Sequence, residues 1–430
     1  MMLPLSDLLL GARAADQPAA WVGGSPRSWD QFRQAAGRVA AQTGGGRWLL
    51  ACGDAWEFAA GLFGLLSAGA TPVLPPNFLP ETLDRLARDA AGVLRGLPEP
   101  GPVRAPGSLA GNVEFWTSGT SGEPKAVIKS LAQLDAEVAM LEAAFGGPLG
   151  LAPVAGTVPH QHIYGSLFRI LWPLAAGRPI LCEPCDDPAS FRQAMALAPV
   201  LVSSPAYLSR LPRLMDLDQL PGRPVAVFSS GGPLERADAL TWQAWAPAGV
   251  LEIYGSTESG GIAWRRQGPD PARSAWTPLA DVQLALDGDG ALVVTSFRAG
   301  PAPLRMEDAA RFNADGGFQL RGRLDRTIKL AEKRISLPEL EAALEAHPAV
   351  ARAGLVLLAG PRPALGAAVQ LKEALGSRPD MVEALRQHLA SRFEPVALPR
   401  HWRFPEQLPV DARGKLTAQA LAALFEGNRP

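Results

Sequence analysis

Nine consecutive residues, TSGTSGEPK at 117–125, alternate hydroxyl side chains with glycines and end on a lysine. Glycine lets backbone N–H groups approach a ligand without a Cβ in the way, and serine and threonine add side-chain donors. The stretch therefore reads as a loop that cradles an anion, with Lys125 supplying a full positive charge. Its spacing is not that of a Walker A loop, which needs GxxxxGK followed by Ser or Thr. An exposed Ser/Gly linker has a similar composition, but such linkers rarely follow an apolar strand as abruptly as this one follows VEFW at 113–116.

Other reactive groups are more ambiguous when taken singly. Tyr254 is followed by Gly255, Ser256, Thr257 and Glu258, a composition suited to the mouth of a site, although Tyr254 alone also suits core packing. His162, beside Tyr164, reads equally as a pocket group or a satisfied interior histidine. Glu258 and Asp308 read as site acids or solvated loop acids. Arg323, Lys329 and Lys415 read as anion partners or charged surface turns. The pair Cys182 and Cys185 forms a lone CxxC, weak as a zinc or redox signal without a second pair.

The elements that must position these groups follow from apolar spacing. Ser28 and Gln31 have capping-box spacing before a helical pattern that runs to residue 42 through Phe32, Ala36 and Val39. Strand-length apolar runs at 48–52 and 71–74 flank a helical stretch from Trp56 to Ala68. Further strand candidates lie at 113–116, 179–182, 200–204, 225–230 and 250–254. This alternation predicts an α/β fold with a largely parallel sheet. After residue 280 the texture changes to hairpins, 282–286 with 291–297 and then 312–322. A charged segment follows, and Ser336 with Glu339 opens another helix. The expected division is a large domain at 1–322 and a small α+β domain at 323–430.

Bulk properties narrow the function classes. At 430 residues the chain needs more than one core, and its 47% hydrophobic content excludes a disordered protein. Lys and Arg number 41 against 42 Asp and Glu, so no global field favours nucleic acid or an anionic membrane. No apolar run is long enough to span a bilayer, and the N-terminal run, broken by Asp7 with no basic region before it, does not read as a signal peptide. A cytoplasmic, reducing location is the expectation.

Taken in order, the motifs resemble those of the adenylate-forming superfamily, which includes acyl-CoA synthetases and acyl-AMP ligases. TSGTSGEPK resembles its phosphate loop, so Thr117, Ser118, Gly119, Thr120, Ser121, Gly122 and Lys125 are expected at ATP phosphates. PHQHIYGS (159–166) resembles the segment whose histidine, here His162, borders and gates the acyl pocket. SSGGPL (229–234), with Gly231 and Gly232, resembles the lining of the adenine and acyl pockets. EIYGSTESGG (252–261) resembles the aromatic-Gly-x-Thr-Glu motif. The resemblance implies that Glu252, Gly255 and Ser256 line the nucleotide site, Tyr254 stacks on adenine, Thr257 contacts phosphate and Glu258 holds Mg²⁺. RMEDAARF (305–312) implies that Asp308 grips the ribose. GRLDRTIK (322–329) implies Arg323 on ribose or phosphate, Asp325 as a hinge and Lys329 near the adenylate. LPVDARGKL (408–416) implies that Lys415 is the catalytic lysine.

The resemblance implies a large α/β N-terminal domain with a distorted β-barrel, a mobile C-terminal domain, and an active site between them. It also implies ATP-dependent conversion of an aryl or fatty acid to acyl-AMP, followed by transfer to a phosphopantetheine thiol. Two departures stand out. The portion before the phosphate loop is short, and Glu332 occupies a position where thioester-forming members usually carry glycine. A carboxylate there adds negative charge beside polyanionic CoA, so an acyl carrier protein stands beside CoA as the expected thiol acceptor. The wording EKRIS at 332–336 is similar to small ligases of aryl-polyene-type clusters, which load carrier proteins. An acyl-AMP-forming enzyme with a non-thiol acceptor and a catalytically silent nucleotide- or acyl-binding protein are the alternatives.

Overall fold

The structure, a computed structural model, describes residues 2–105, 107–118, 124–246, 248–270, 274–330, 333–358, 363–373, 377–390, 392–393, 395–410 and 416–426. The chain divides into two compact units. The larger comprises Met1–Gln283 with Val294–Leu304, and the smaller comprises Leu284–Val293 with Arg305–Pro430. Both mix helices and strands, as the sequence pattern predicts.

Among the described residues the larger unit contains two mostly parallel sheets. The first runs edge to edge through Thr277–Pro278, Gly260–Arg265, Val250–Ser256, Ala226–Ser229, Val200–Ser203, Val154–Gly156, Ile180–Leu181, Pro18–Val22 and Ser25–Ser28. Its central neighbours are parallel and both ends turn antiparallel. The second runs through Gly92–Leu94, Gly46–Leu50, Ala70–Leu74, Asn112–Ser118 and Pro124–Ser130, and only its last pair is antiparallel. Near-continuous apolar strands such as Val200–Ser203 and Ala226–Ser229 are buried along their whole length, as strands covered on both faces must be.

Helix formation follows the local signals. Ser28 caps Trp29–Gln42, and the reciprocal bond from its N–H to Gln31 completes the capping box. Phe32, Ala36 and Val39 face inward from it. Ala55–Ser67 is buried on nearly every side, with Asp54 at its cap accepting two backbone N–H groups.

Gln283–Leu286, Ala291–Thr295, Leu304–Phe312 and Phe318–Arg323 form a four-stranded sheet in that order, most of it in the smaller unit, whereas the expected division placed these hairpins in the large domain at 1–322. A hairpin of Thr327–Leu330 with Lys333–Ser336 follows, then the helix Leu337–Glu345 capped by Ser336. Its core gathers Leu340, Leu344, Leu355, Leu365, Val369, Leu385 and Trp402 around a three-stranded sheet. Among the described residues no helix is long and apolar enough to cross a membrane.

Candidate active site

Four adjacent parallel strands of the large sheet, Val154–Gly156, Val200–Ser203, Ala226–Ser229 and Val250–Ser256, end at one edge. The chain leaving those carboxyl ends carries, in turn, His162, Tyr207, the SSGGPL turn and the Ser256–Gly261 turn. In open α/β sheets, the crevice outside the carboxyl ends of the strands is where ligands bind. The sequence motifs therefore converge because the parallel topology brings their strands to the same edge.

Glu258 sits at the tip of a tight hairpin. Gly255 pairs with Gly261 and Ser256 with Gly260, leaving Thr257, Glu258 and Ser259 as the turn. Ser256 and Ser259 exchange side-chain-to-backbone bonds across it: Ser256 N–H donates to Ser259 Oγ at 2.9 Å, and Ser259 N–H to Ser256 Oγ at 3.1 Å. Gly255 must be glycine, because a Cβ there would stand 2.0 Å from the Gly260 carbonyl oxygen. Gly260 has φ +70°, and a Cβ on it would meet Glu137 at 2.5 Å.

The second hairpin, Asn112–Ser118 with Pro124–Ser130, brings the anion loop to this turn. Thr117 pairs with Lys125 and Ser118 with Pro124. Gly119, Thr120, Ser121 and Gly122 lie outside the described residues. Lys125 Nζ stands 3.5 Å from Glu258 Oε1, with the lysine side chain 66% exposed and the glutamate side chain 34% exposed. A lysine from the expected phosphate loop and the expected metal-binding acid thus face each other at the surface.

Beneath this pair lies a set of buried ions that the sequence reading missed. Lys129 is 3% exposed and donates to the backbone carbonyls of Glu258 and, at 2.6 Å, of Arg298. Glu137, from the helix Leu131–Leu141, accepts the Gly261 N–H at 2.7 Å and lies 3.5 Å from Arg298. Arg298 has no exposed surface; it donates to both oxygens of Asp281 at 2.7 and 2.8 Å and to the Gly261 carbonyl. Burial pushes the Glu137 carboxyl up, opposed by Arg298, and pushes the Lys129 ammonium down, opposed by Glu137. One signal was available: Glu137 falls on the same helical face as Leu134, Val138 and Leu141. Lys129 was hidden, because an alternating strand would be expected to turn Ile128 inward, yet Ile128 is 60% exposed and Lys129 is buried.

Glu252 is 3% exposed, and its carboxylate is engaged inside the fold. Arg265 donates to it through Nε and Nη2 at 2.9 and 2.8 Å, and Gln267 donates at 2.9 Å. The Leu234 N–H adds a longer bond at 3.4 Å, so Glu252 ties the SSGGPL turn to the strand Val250–Ser256. In that turn Ser230 Oγ donates to the Ile253 carbonyl, and Gly231 takes φ +90° with open space around it; Gly232 has only the Pro205 ring within reach. Tyr254 is half-buried, its ring 5.4 Å from that of Trp276, over which the Arg265 guanidinium lies.

His162 directly precedes the short helix Ile163–Gly165 and is partly exposed. The buried histidine of the PHQH segment is instead His160, 3.0 Å from the Cys52 carbonyl and packed on Phe58. Burial, reinforced by Arg169, lowers its pKa to about 4. Tyr207 donates its hydroxyl to the Cys185 carbonyl at 2.8 Å. Cys52, Cys182 and Cys185 are buried free thiols, pushed by burial up to about 12 for Cys52 and Cys185. Of the CEPC segment, Cys182 and Cys185 pack into the interior, while Glu183 and Pro184 are exposed.

In the smaller unit, Asp308 and Arg323 stand opposite each other across the antiparallel pair Leu304–Phe312 and Phe318–Arg323. Asp325 lies in the 3-10 turn Leu324–Arg326, and Lys329 pairs with Arg334 in the next hairpin. Arg326 anchors this turn by two 2.7 Å bonds to Glu341. Val410 bridges to Leu416, and Lys415 lies outside the described residues.

Comparison with known proteins gives two family matches. Residues 106–295 match the AMP-binding enzyme family and residues 339–415 match the AMP-binding enzyme C-terminal domain. The 4-coumarate–CoA ligase of Rhodobacter capsulatus is 30% identical over 313 residues, covering 70% of this chain and 73% of that protein. The 4-coumarate–CoA ligase of Cereibacter sphaeroides is 32% identical over 307 residues, covering 70% and 69%. ATP-bound MatB from Rhodopseudomonas palustris shares the fold, with a TM-score of 0.82 over 99% of each chain at 19% identity.

Proposed function

Because this chain belongs to the AMP-binding, adenylate-forming enzyme family, as an AMP-forming ligase of the acyl-CoA synthetase type, we propose that it activates an aryl or fatty acid with ATP and passes the acyl group to a phosphopantetheine thiol. In the first half-reaction the carboxylate attacks the α-phosphorus of ATP, giving acyl-AMP and releasing pyrophosphate. In the second, the thiol attacks the acyl carbonyl, the thioester forms, and AMP and a proton leave.

The single observation that carries this reading is the meeting of Lys125 and Glu258 at the carboxyl ends of the parallel strands. Two anions must come together in adenylation, so the site needs positioning and cations more than an acid–base pair. Lys125 and the donors of the 117–122 loop are assigned to the phosphates, and Lys415 to the reacting carboxylate and α-phosphate. Tyr254, Gly231 and Gly232 are assigned to the adenine end, His162 to the mouth of the acyl pocket, and Asp308, Arg323 and Lys329 to the ribose and adenylate.

Glu258 suits Mg²⁺. This ion is usually held by one or two protein carboxylates together with substrate phosphates and water, not by a dedicated protein cage. One partly exposed carboxylate, next to a lysine that already counts as a phosphate ligand, matches that donor set. When bound, the ion would neutralise charge on the ATP phosphates.

The acceptor is assigned to a carrier-protein phosphopantetheine or CoA, with Glu332 favouring the carrier because it adds negative charge where CoA would bring more. The region 323–430 is assigned as the moving part, pivoting at Asp325 between the two half-reactions. Two measurements test the reading: trapping of acyl-AMP by hydroxylamine, and thioester yield with a purified carrier protein beside CoA. Hydroxamate formation that depends on ATP and one class of acid is expected. Its absence with every acid class contradicts the adenylation step, and turnover of CoA with no carrier loading contradicts the carrier preference.

A further inference from the structure

We infer that Lys129 and Glu137 are positioning residues for the reaction, fixing the backbone of the 258–261 turn so that the Glu258 carboxylate is held for the metal–phosphate complex. The inference rests on the assignment of Glu258 made above.

The geometry is specific. Lys125 and Lys129 lie on one strand, and each grips a different part of Glu258: Lys125 faces its carboxylate, and Lys129 donates to its backbone carbonyl. At the other end of the turn, Glu137 accepts the Gly261 N–H and Arg298 donates to the Gly261 carbonyl. Three buried side chains therefore hold three backbone groups of one short turn, from a strand, a helix and a later loop. Lys129 also takes the Arg298 carbonyl, linking that loop to the same point.

An apolar core would stabilise this region with fewer demands. Burying an ammonium and a carboxylate is costly before pairing, and replacing such groups by well-packed apolar residues is often neutral or stabilising. Here, among the described residues, Lys129 and Glu137 each meet only Arg298 and the backbone of the turn. A ligand carboxylate has to be held within about 0.5 Å of its productive position by surrounding groups, and that is the service this network performs.

The test uses the full-length protein and two variants. Lys129→Met keeps the unbranched chain, one atom shorter, and removes its donors, and Glu137→Gln keeps the shape and removes the charge. Mn²⁺ serves as probe, with α,β-methylene-ATP as the non-reacting nucleotide; because the nucleotide alone chelates Mn²⁺, binding is read as the rise in water-proton relaxation rate over that of the protein-free Mn²⁺–nucleotide complex. Lys129→Met is expected to weaken nucleotide-dependent Mn²⁺ binding by about tenfold, the low end of what outer-shell changes do at metal sites. The maximal rate of acid-dependent exchange should fall in parallel, with little change in the KM for the acid. Should Lys129→Met fail to fold, Glu137→Gln decides, and a several-fold weakening is expected of it. Glu258→Gln identifies which idea has failed. Loss of Mn²⁺ binding in Glu258→Gln, with wild-type affinity in a folded Lys129→Met or Glu137→Gln, overturns the positioning role alone. Unchanged Mn²⁺ binding in Glu258→Gln overturns the assignment of Glu258 and this inference with it.

Discussion

Lys125 and Glu258 come from hairpins of two different sheets, and their charged atoms stand 3.5 Å apart. The contact has little to do with holding the fold together, because the lysine side chain is 66% and the glutamate side chain 34% exposed. Exposed pairs of this kind contribute about 0–1 kcal/mol. Its value is that two groups suited to phosphate and Mg²⁺ are already neighbours before any ligand arrives.

Lys125→Met should separate stability from activity. The unfolding free energy is expected to stay within about 1 kcal/mol of wild type. Acid-dependent ATP–pyrophosphate exchange is expected to fall by about a hundredfold, the scale seen when one donor to developing charge is removed. Initial exchange rates set beside urea unfolding curves check both. A large loss of stability with unchanged exchange would show a structural lysine.

Arg298→Met should cost stability. It leaves Glu137 and Asp281 without their shared cation, and breaking a buried pair from one side typically costs about 3–5 kcal/mol. Denaturant unfolding of the variant measures it, and a change below about 1 kcal/mol would contradict the network as described.

Acid should weaken the fold through His160. Its folded pKa of about 4 lies below the unfolded value of about 6.5, so the unfolded chain takes up a proton that the folded chain refuses. The stability due to this group is full above about pH 6.5 and is lost as pH falls towards about 4, with roughly 2 kcal/mol disappearing between pH 7 and pH 5. Urea midpoints at those two pH values should draw closer together in His160→Gln, whose amide can still donate to the Cys52 carbonyl. An unaltered gap would assign the acid sensitivity elsewhere.

Asp325→Pro addresses the hinge. Proline fixes φ and removes the N–H at a 3-10 turn whose neighbour Arg326 is anchored to Glu341. Exchange is expected to persist while thioester formation is lost, and equal loss of both half-reactions would contradict a pivot at Asp325.

Much of the fold was legible because its signals are local. The Ser28–Gln31 capping box, the buried runs at 200–203 and 226–229, and the turn at Asp315 each depend on residues close in sequence. The family was legible in the order of the motifs, and SSGGPL and the Ser256–Gly261 turn leave the ends of adjacent parallel strands. What the sequence withheld depends on tertiary contacts, most of them over more than a hundred residues. Lys129 looks like a surface lysine until the fold brings it to Glu258 and Arg298. Glu252, inside a motif, looks like a ligand group until Arg265 and Gln267 are seen to occupy its carboxylate. His162 and His160 are two residues apart, and only the packing against Phe58 and Cys52 tells which one is interior.

Acid-dependent ATP–pyrophosphate exchange across aryl, short-chain and long-chain acids, with Lys415→Ala and Glu258→Gln in parallel, tests the central claim most directly. Exchange is predicted with one class of acid, falling by about a hundredfold or more in both variants. Exchange that persists at the wild-type rate in both variants, or wild-type protein that exchanges with no acid while binding ATP, would contradict it.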